Sequence, residues 1–282
     1  MQDLTWGQTR KHMIVGIDIG GSTTDAVVLE NGEFHVVTIE ANDPVAAAAG
    51  ALGKLVEQYN IDLNDVERVA ATGAGSRALG EKLLGRQVIK VSEFTAIGVG
   101  GTWLAGKERA LVVSLGTGTA LVSVDGEKIQ HTSGTGVGGG TLLGLSKHIL
   151  GVSSLDTLEA MASRGDLRRV DLKVGDIAGG PIGDLPAGTT AANFGKIRAD
   201  ATPDDKALAI INMIVEVIGV LSLASARGCG QEDIVLTGKL TRVFRFMQKT
   251  RRLEFIFGRG FIIPDHADYA TAIGAARTAA RM

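Results

Sequence analysis

The chain has 282 residues, of which 45% are hydrophobic and 21% charged, a balance typical of a globular protein and not of a disordered one. Its formal net charge of −2 argues against a surface for nucleic acid. A single cysteine, Cys229, excludes an internal disulfide, and the first residues lack the apolar stretch of a secretory signal, so we expect a cytoplasmic protein.

Glycine is the residue type that stands out, with 39 glycines against 5 prolines. Because glycine ordinarily makes up about 7% of residues, this chain has roughly twice the usual share. The glycines cluster at the ends of apolar runs, without the period of collagen. This pattern predicts tight turns at which the backbone approaches a ligand closely.

The first elements are predicted to be a hairpin, a third strand and a helix. Apolar, β-branched runs over 13–18 and 25–30 flank the short turn 19–24 (IGGSTT). A strand over 34–39 follows, and then a helix over 43–60 with an aspartate cap and a proline in its first turn.

A strand, a helix, a strand and a second helix come next. The strands are predicted over 66–71 and 88–92, and the first of these helices near 77–84. The later strand ends at Glu93, and a helix of small residues continues to residue 105.

The strand–turn plan then starts again, which makes a weak internal repeat. Strands over 110–114 and 120–124 flank the turn 115–119 (LGTGT), and the glycine-rich stretch 133–144 opens a helix. The remaining predicted elements are helices over 155–163, 204–227 and 267–281, strands over 234–237 and 261–264, and turns over 185–196.

The helix over 204–227 is long and apolar enough to cross a bilayer. However, Asn212 and Glu216 fall near its middle, where a carboxylate costs about 2.5–3.5 kcal/mol on insertion scales. We therefore interpret it as a buried core helix or a helix at a subunit interface, and we expect no membrane partner.

Mixed strands with intervening helices indicate an α/β fold. We expect a two-lobed, actin-like ATPase fold of ribonuclease H-like lobes, each a mixed sheet flanked by helices, with a nucleotide cleft between them. The predicted N-terminal lobe covers residues 1–95 and holds the first phosphate turn and the catalytic glutamate. The predicted C-terminal lobe covers 96–282 and holds the second phosphate turn, the glycine-rich segment and the dimerisation helix.

The first turn has the composition of an anion-binding nest. Gly20 and Gly21 let successive N–H groups point at one spot, and Ser22 and Thr23 add hydroxyl donors. Asp18 stands where it could hold a hydrated Mg²⁺ ion or orient a nucleophile. The alternative is an ordinary hairpin turn, in which such sequences are common.

Two further clusters match this turn. The second turn has the same composition after the same kind of strand, and its predicted nucleotide-binding residues are Gly116, Thr117, Gly118 and Thr119. In the third cluster, close approach to a nucleotide and a helix N-terminus aimed at phosphate would explain three consecutive glycines, with a hinge as the alternative. The residues predicted there are Gly136, Gly138, Gly139, Gly140 and Thr141, with Gly238 as a weaker, adenine-facing candidate.

With these residues in order, the chain resembles a type II pantothenate kinase, a branch of the actin, sugar-kinase and heat-shock ATPase superfamily. The likeness runs from about residue 14 to 277. Its most specific stretches are Ser92-Glu93-Phe94, 134–144, Gly165-Asp166, 170–177 (VDLKVGDI), 191–195 (AANFG) and 272–275 (AIGA).

The resemblance implies transfer of the ATP γ-phosphoryl group to the primary alcohol of pantothenate in coenzyme A biosynthesis, with Mg²⁺ and a homodimer. It assigns Glu93 as the base that accepts the alcohol proton, with Asp18 as the metal ligand and the rival base. The substrate-binding residues that it suggests are Glu93, Thr117, His131, Ser133 and Thr135.

The chain departs from the family pattern at two positions. Asp25 stands where the family usually has lysine at the end of the first turn, and His131 stands where an arginine binds the pantothenate carboxylate. Because histidine lacks the bidentate, permanently charged grip of arginine, pantetheine or another uncharged alcohol becomes an alternative acceptor.

Two other classes of function compete with a kinase. An ATPase that activates a partner enzyme through an iron–sulfur cluster shares the first turn, but Cys229 alone supplies too few thiolates. A catalytically silent, nucleotide-binding sensor would be compatible with the departures at Asp25 and His131.

Overall fold

The computed structural model describes residues 13–30, 33–40, 42–249 and 260–282, which belong to two units. The first unit comprises Met1–Glu108, Glu127–Ile129 and Tyr269–Met282, and the second comprises Arg109–Gly126 and Gln130–Asp268. This division differs from the predicted boundary after residue 95, because two helices, one of them at the end of the chain, complete the first unit.

In the described residues, runs of one to three consecutive strands are separated by helices. The strands are β1 (Met13–Ile19), β2 (Thr24–Glu30), β3 (Glu33–Ile39), β4 (Val66–Thr72), β5 (Lys82–Leu83), β6 (Arg86–Lys90), β7 (Arg109–Leu115), β8 (Thr119–Asp125), β9 (Lys128–Thr135), β10 (Leu172–Lys173), β11 (Thr190–Ala192) and β12 (Ile234–Thr237). The α-helices are α1 (Pro44–Tyr59), α2 (Glu93–Ala105), α3 (Gly139–Leu150), α4 (Leu155–Ala162), α5 (Val174–Ala178), α6 (Pro203–Gly228), α7 (Thr241–Lys249) and α8 (Ala270–Ala279). Short 3₁₀ helices cover Leu63–Asp65, Ala74–Ala78, Leu167–Arg169 and Ala267–Tyr269.

A six-stranded mixed sheet in the order β3-β2-β1-β4-β6-β5 forms the first unit. β1 and β2 are the predicted hairpin, and β1, β4 and β6 run parallel to one another. Helix α1 begins as predicted, since the Asp43 carboxylate accepts a hydrogen bond of 2.7 Å from the Ala46 N–H. Its Leu52 and Leu55 belong to the same buried cluster as Ile17 and Val69 of the sheet.

Helices α2 and α8 pack with their backbones in contact. A Cβ atom added at Gly274 would lie 1.9 Å from the Ala96 carbonyl oxygen, and one added at Gly100 would lie 1.8 Å from the Ala270 oxygen. No side chain fits at either position. The last helix of the chain is thereby fixed in the unit that contains the first strand.

The second unit is built on a four-stranded sheet in the order β12-β7-β8-β9. Its core includes the long helix α6, in which Leu208, Ile211 and Ile218 are buried. α6 has the length and hydropathy of a membrane span, but 61% of its most apolar window is buried inside the protein. The prediction of a core helix is therefore confirmed.

Two predicted elements are wrong. In place of a helix near 77–84 there is a short 3₁₀ helix followed by the hairpin of β5 and β6, because Leu84 and Gly85 both take the positive φ of a tight hairpin turn. In place of a strand over 261–264 there is a single bridge between Ile262 and Val235. β9 also extends into the predicted glycine-rich loop, as far as Thr135.

A buried polar network explains the charged and amide residues of α6. The Asp171 carboxylate has no exposed surface and accepts hydrogen bonds from the Phe194 N–H at 3.0 Å and the Asn212 side chain at 3.1 Å. The Lys173 ammonium lies 3.5 Å from the same carboxylate. Burial raises the pKa of Asp171 despite these partners.

Glu216, one turn further along α6, binds the chain segment that contains Thr190 and Asn193. It accepts hydrogen bonds of 2.7 Å from the Thr190 hydroxyl and from the Asn193 amide. Asn212 and Glu216 thus have the same role on the helix, since each forms hydrogen bonds to a segment that packs beside it. Together they hold the family-specific stretches 170–177 and 191–195 against its side.

We predict that Asp171→Ala lowers the free energy of unfolding by about 3 kcal/mol, because it leaves the ammonium of Lys173 without its buried carboxylate. Urea denaturation measures the change. Asp176→Ala is the matched control, since it removes an exposed carboxylate that pairs with Lys196 at 2.6 Å, and we expect it to lose much less. Equal effects of the two substitutions would contradict a stabilising role for the buried network.

Candidate active site

Three polar residues lie at one edge of the first unit's sheet. Asp18 and Glu93 were predicted from the sequence, and Thr72 was not. β1, β4 and β6 are parallel neighbours, so their carboxyl ends meet at the same edge. Asp18 near the end of β1 stands opposite Thr72 at the end of β4, and Glu93 follows β6. At about 4.8 Å per strand, these positions span roughly 10 Å along the edge, a spacing that suits one small-molecule site.

The first predicted phosphate turn is a tight connection at this edge. The Gly20 N–H donates a hydrogen bond of 3.0 Å to the Thr23 carbonyl oxygen, which closes the turn between β1 and β2. Gly20, Gly21 and Ser22 are exposed. The turn therefore presents backbone and a hydroxyl to solvent, as an anion-binding nest requires.

Thr72 is a candidate site residue that the sequence analysis missed. Its hydroxyl is fully buried and has no hydrogen-bond partner among the described residues. The following residue, Gly73, lies so close to Asp18 that a Cβ atom there would be 2.5 Å from its carboxylate oxygen. The turn TGAGS after a predicted strand was a signal for this position, but the register with Asp18 could not be predicted.

Glu93 is the first residue of α2, and it is exposed. The partial positive charge of a helix N-terminus interacts favourably with an acidic side chain. An exposed carboxylate at the carboxyl edge of a sheet can accept a proton from a bound hydroxyl group. The position of Glu93 thus suits the role predicted for it.

In the second unit, the second turn and the third glycine cluster form one structure. The N–H groups of Gly139 and Gly140 donate hydrogen bonds of 2.8 and 2.9 Å to the carbonyl oxygens of Gly116 and Thr117. These two amides are therefore used within the protein, and nucleotide binding by Gly139 and Gly140 stays a prediction. They hold the turn between β7 and β8 on the start of α3.

This contact gives a packing reason for the glycine cluster. A Cβ atom at Gly138 would lie 2.7 Å from the Cα atom of Gly118 and 2.7 Å from the Thr117 oxygen. No larger residue fits without a shift of the turn. These glycines were predicted to allow close approach to a nucleotide or to form a hinge. Packing against the second turn is enough to explain them.

Several predicted hydroxyl ligands stabilise the same loop. Thr119 donates to the Val137 oxygen at 2.8 Å, and Thr141 donates to the Gly136 oxygen at 2.8 Å. The Thr135 hydroxyl accepts a hydrogen bond of 3.1 Å from the Val137 N–H. The exposed predicted residues of this region are Gly116, Thr117, Gly136 and Gly140.

Gly238 lies beside the second turn. It follows β12, which runs parallel to β7, and a Cβ atom there would be 2.6 Å from the Leu115 oxygen. Its φ of +87° also favours glycine. The second unit thus brings Gly238 next to the residues 116–119, as an adenine-facing turn would require.

The predicted substrate residues of β9 differ in exposure. His131 is exposed, whereas the Ser133 hydroxyl is buried and has no hydrogen-bond partner among the described residues. Thr132, which the sequence offered as a further donor, instead lies 2.9 Å from the Ser225 hydroxyl of α6 and donates to the Leu121 oxygen. Ser133 is therefore the β9 hydroxyl with unused hydrogen-bonding capacity.

Asp25 is buried within the first unit's sheet. It stands directly opposite Asp18 on β2 and accepts a hydrogen bond of 2.5 Å from the Thr38 hydroxyl. Directly opposite residues of an antiparallel pair share one face of the sheet. Asp25 therefore adds a second carboxylate next to Asp18, where the family pattern has a cation.

Asp18 is suited to Mg²⁺ in a nucleotide site. Among the described residues, no group of three or more histidine, cysteine, aspartate or glutamate side chains could hold a metal ion by itself. Mg²⁺ bound with nucleotides needs only one or two carboxylates, since phosphate oxygens and water complete its octahedron. The half-buried Asp18 beside an exposed turn fits that requirement.

Comparison with known proteins gives a family and close relatives. The Fumble family model matches residues 107–276. A type II pantothenate kinase of Oceanobacillus iheyensis is 31% identical over 276 residues, covering 93% of this chain and 97% of the relative. A type II pantothenate kinase of Staphylococcus aureus is 29% identical over 237 residues, covering 80% and 84%.

Solved structures show the same fold at lower identity. The activator of the 2-hydroxyisocaproyl-CoA dehydratase from Clostridium difficile, with bound ADPNP, has a TM-score of 0.67 at 16% identity and covers 95% of this chain and 97% of its own. A ROK family glucokinase from Streptomyces griseus, in complex with glucose and AMPPNP, has a TM-score of 0.56 at 15% identity and covers 96% and 100%. The two-lobed, actin-like ATPase fold predicted from the sequence is confirmed.

We predict that Gly138→Ala weakens ATP binding by at least about tenfold, because the added methyl group must displace the second turn. Calorimetric titration with a non-hydrolysable ATP analogue measures the affinity. Gly144→Ala is the matched control on the same helix, since its Cβ atom would meet nothing within 4 Å. Unchanged affinity in a folded Gly138→Ala protein would contradict a role for this turn in nucleotide binding.

Proposed function

The chain belongs to the Fumble family of type II pantothenate kinases, and we propose that Glu93 and Asp18 carry the chemistry of the reaction that this membership defines. The protein transfers the γ-phosphoryl group of ATP to the primary alcohol of pantothenate, a step of coenzyme A biosynthesis. The observation that carries the site assignment is the shared sheet edge of Asp18, Thr72 and Glu93 in the first unit.

In the proposed mechanism, Glu93 orients the pantothenate hydroxyl group and accepts its proton. The alcohol oxygen forms a bond to the γ-phosphorus as the bond between that phosphorus and the β,γ-bridging oxygen breaks, and ADP leaves. Phosphoryl transfer depends mainly on positioning and on neutralising charge, so one well-placed carboxylate is enough protein chemistry for the acceptor.

The first turn, Gly20–Thr23, and the second turn, Gly116–Thr119, each supply a phosphate contact in this proposal. Asp18 holds Mg²⁺, which neutralises phosphate charge when bound. The contacts of Gly139 and Gly140 within the protein assign them a supporting role, because they fix the shape of the second turn. The prediction that both turns face one shared cleft stays a prediction.

Pantothenate contacts are proposed for Thr117, His131, Ser133 and Thr135, with Glu93 at the reacting hydroxyl. The buried, unpartnered Ser133 hydroxyl supports this assignment. A protonated His131 can donate one hydrogen bond to the pantothenate carboxylate. No structural feature favours pantetheine as the acceptor.

We predict that Glu93→Gln lowers the rate of phosphoryl transfer to pantothenate by at least about 10²-fold, while the affinity for ATP is kept. The amide cannot accept the alcohol proton, whereas the nucleotide contacts lie on other residues. Coupled ADP release measures turnover, and calorimetry measures ATP binding.

Glu108→Gln removes an exposed glutamate from the same unit and serves as the control with full activity. Retention of the wild-type rate by Glu93→Gln would eliminate Glu93 as the base. An unmodified protein that binds ATP but phosphorylates no pantothenate would instead support a silent sensor.

We further propose that the enzyme is a cytoplasmic homodimer that associates through α6. Val217 and Val220 are 40% and 60% exposed on this helix, and residues three apart share one face. Exposed Ile177, Ile182 and Leu185 belong to the chain stretch that the buried network holds against α6. Exposed apolar side chains on one face of a helix are typical of a subunit contact.

We predict that Val220→Glu converts the dimer to a monomer of 29.3 kDa, because it introduces a charge into the apolar contact. Size-exclusion chromatography with light scattering measures the mass. Val45→Glu, at a 44% exposed valine of α1, is the control that should leave the dimer intact. A dimer that survives Val220→Glu would move the contact away from this face.

A further inference from the structure

The first unit contains a cavity that the kinase reaction does not use. It is half open to solvent, has a volume of about 220 Å³ and is lined by residues of β1, β2, β3, α2 and α8. Val27, Leu29, Phe34 and Ile273 form apolar walls, and Trp103 and Arg277 complete the lining. The cavity therefore combines a hydrophobic interior with a single cationic side chain.

Arg277 lies in the cavity wall, and no ion pair joins it to a carboxylate of the described residues. Its guanidinium carbon is 4.0 Å from the ring centroid of Trp103, and the Trp103 ring meets Phe34 edge-on at 5.6 Å. Its Nε atom is buried, and no described residue accepts a hydrogen bond from it. Burial, together with the charge of Arg281, lowers the pKa of Arg277. A nearby anion would stabilise this cation.

Several arginines of the described residues have the carboxylate partner that Arg277 lacks. They lie at the surface and form ion pairs at 2.7–2.9 Å: Arg164 with Asp204, Arg168 with Asp166, and Arg198 with Asp200. The guanidinium group of Arg277 is half-buried and lies over an indole ring. Such a cation can form an ion pair with a bound anion. Guanidinium binds carboxylate through two parallel hydrogen bonds, which makes a carboxylate the matching group.

We propose that this cavity binds a small carboxylate with an unbranched apolar tail, at a site separate from the residues assigned to ATP and pantothenate. The carboxylate pairs with Arg277, and the tail lies against Val27, Leu29 and Ile273. At about 30 Å³ per water-sized group, the volume accommodates roughly seven groups of the tail. A carboxylate matches one guanidinium group both in its single charge and in its two acceptor oxygens. The inference does not rest on the kinase activity.

Sodium octanoate is the probe that matches this description. Its binding is measured by calorimetry and by the fluorescence of Trp103 in a Trp6→Phe background, in which Trp103 is the remaining tryptophan. We expect saturable binding with Kd near or below about 1 mM. Arg277→Gln should weaken it at least tenfold, since a hydrogen bond to a charged group is lost. Arg281→Gln is the matched control on the same chain end, and its affinity should stay within about twofold of wild type.

Octanamide tests the charge without any substitution. We expect it to bind the unmodified protein at least about tenfold more weakly than octanoate, because it lacks the anion. This comparison decides the question should Arg277→Gln fail to fold. Equal affinity for octanoate and octanamide, equal binding by Arg277→Gln, or no saturable change in Trp103 fluorescence would overturn the proposal. A changed assembly mass in Arg277→Gln would identify the face as a subunit contact and would also overturn it.

Discussion

Both units depend on main-chain segments that approach one another more closely than a Cβ atom allows. In the first unit, Gly274 and Gly100 let helices α2 and α8 cross in backbone contact. This contact fixes α8 in the unit that contains β1. In the second, Gly138 lets the start of α3 press on the turn at Gly118. In the second unit, main-chain hydrogen bonds from Gly139 and Gly140 also join the two segments. The glycine-rich composition therefore first serves the architecture, and the proposed phosphate sites are built on the shapes that it fixes.

Local sequence features predicted the elements that local physics determines. The hairpin around Gly20, the capped helix α1 and the strands β7 and β8 follow from alternation, capping residues and turn residues, and all are present. The hairpin of β5 and β6, which was predicted as a helix, is a local failure. The other features that could not be predicted are non-local. The opposition of Thr72 and Asp18 depends on strand register, and the contact of Gly138 with the second turn depends on tertiary packing. Neither leaves a periodic trace in the sequence.

The polar residues of α6 illustrate the same limit. Asn212 and Glu216 predicted that the helix needs polar partners, because a polar group in such a helix is costly without one. The partners, Asp171, Thr190 and Asn193, come from chain segments about 20 to 40 residues away. The fold itself is shared by a dehydratase activator and a sugar kinase, so the family and the residues at the sheet edge, and not the architecture, decide between a kinase and an activator.

The position of α8 has a consequence for how the protein is made. The strand that starts near residue 13 is covered by a helix that ends at Ala279, so the ribosome must translate all of the second unit first. At about 5–20 residues per second, the intervening stretch takes roughly 10–30 s to synthesise. During that interval the sheet of the first unit lacks the helix that packs against it. This side of the first unit is therefore completed only after α8 has been synthesised.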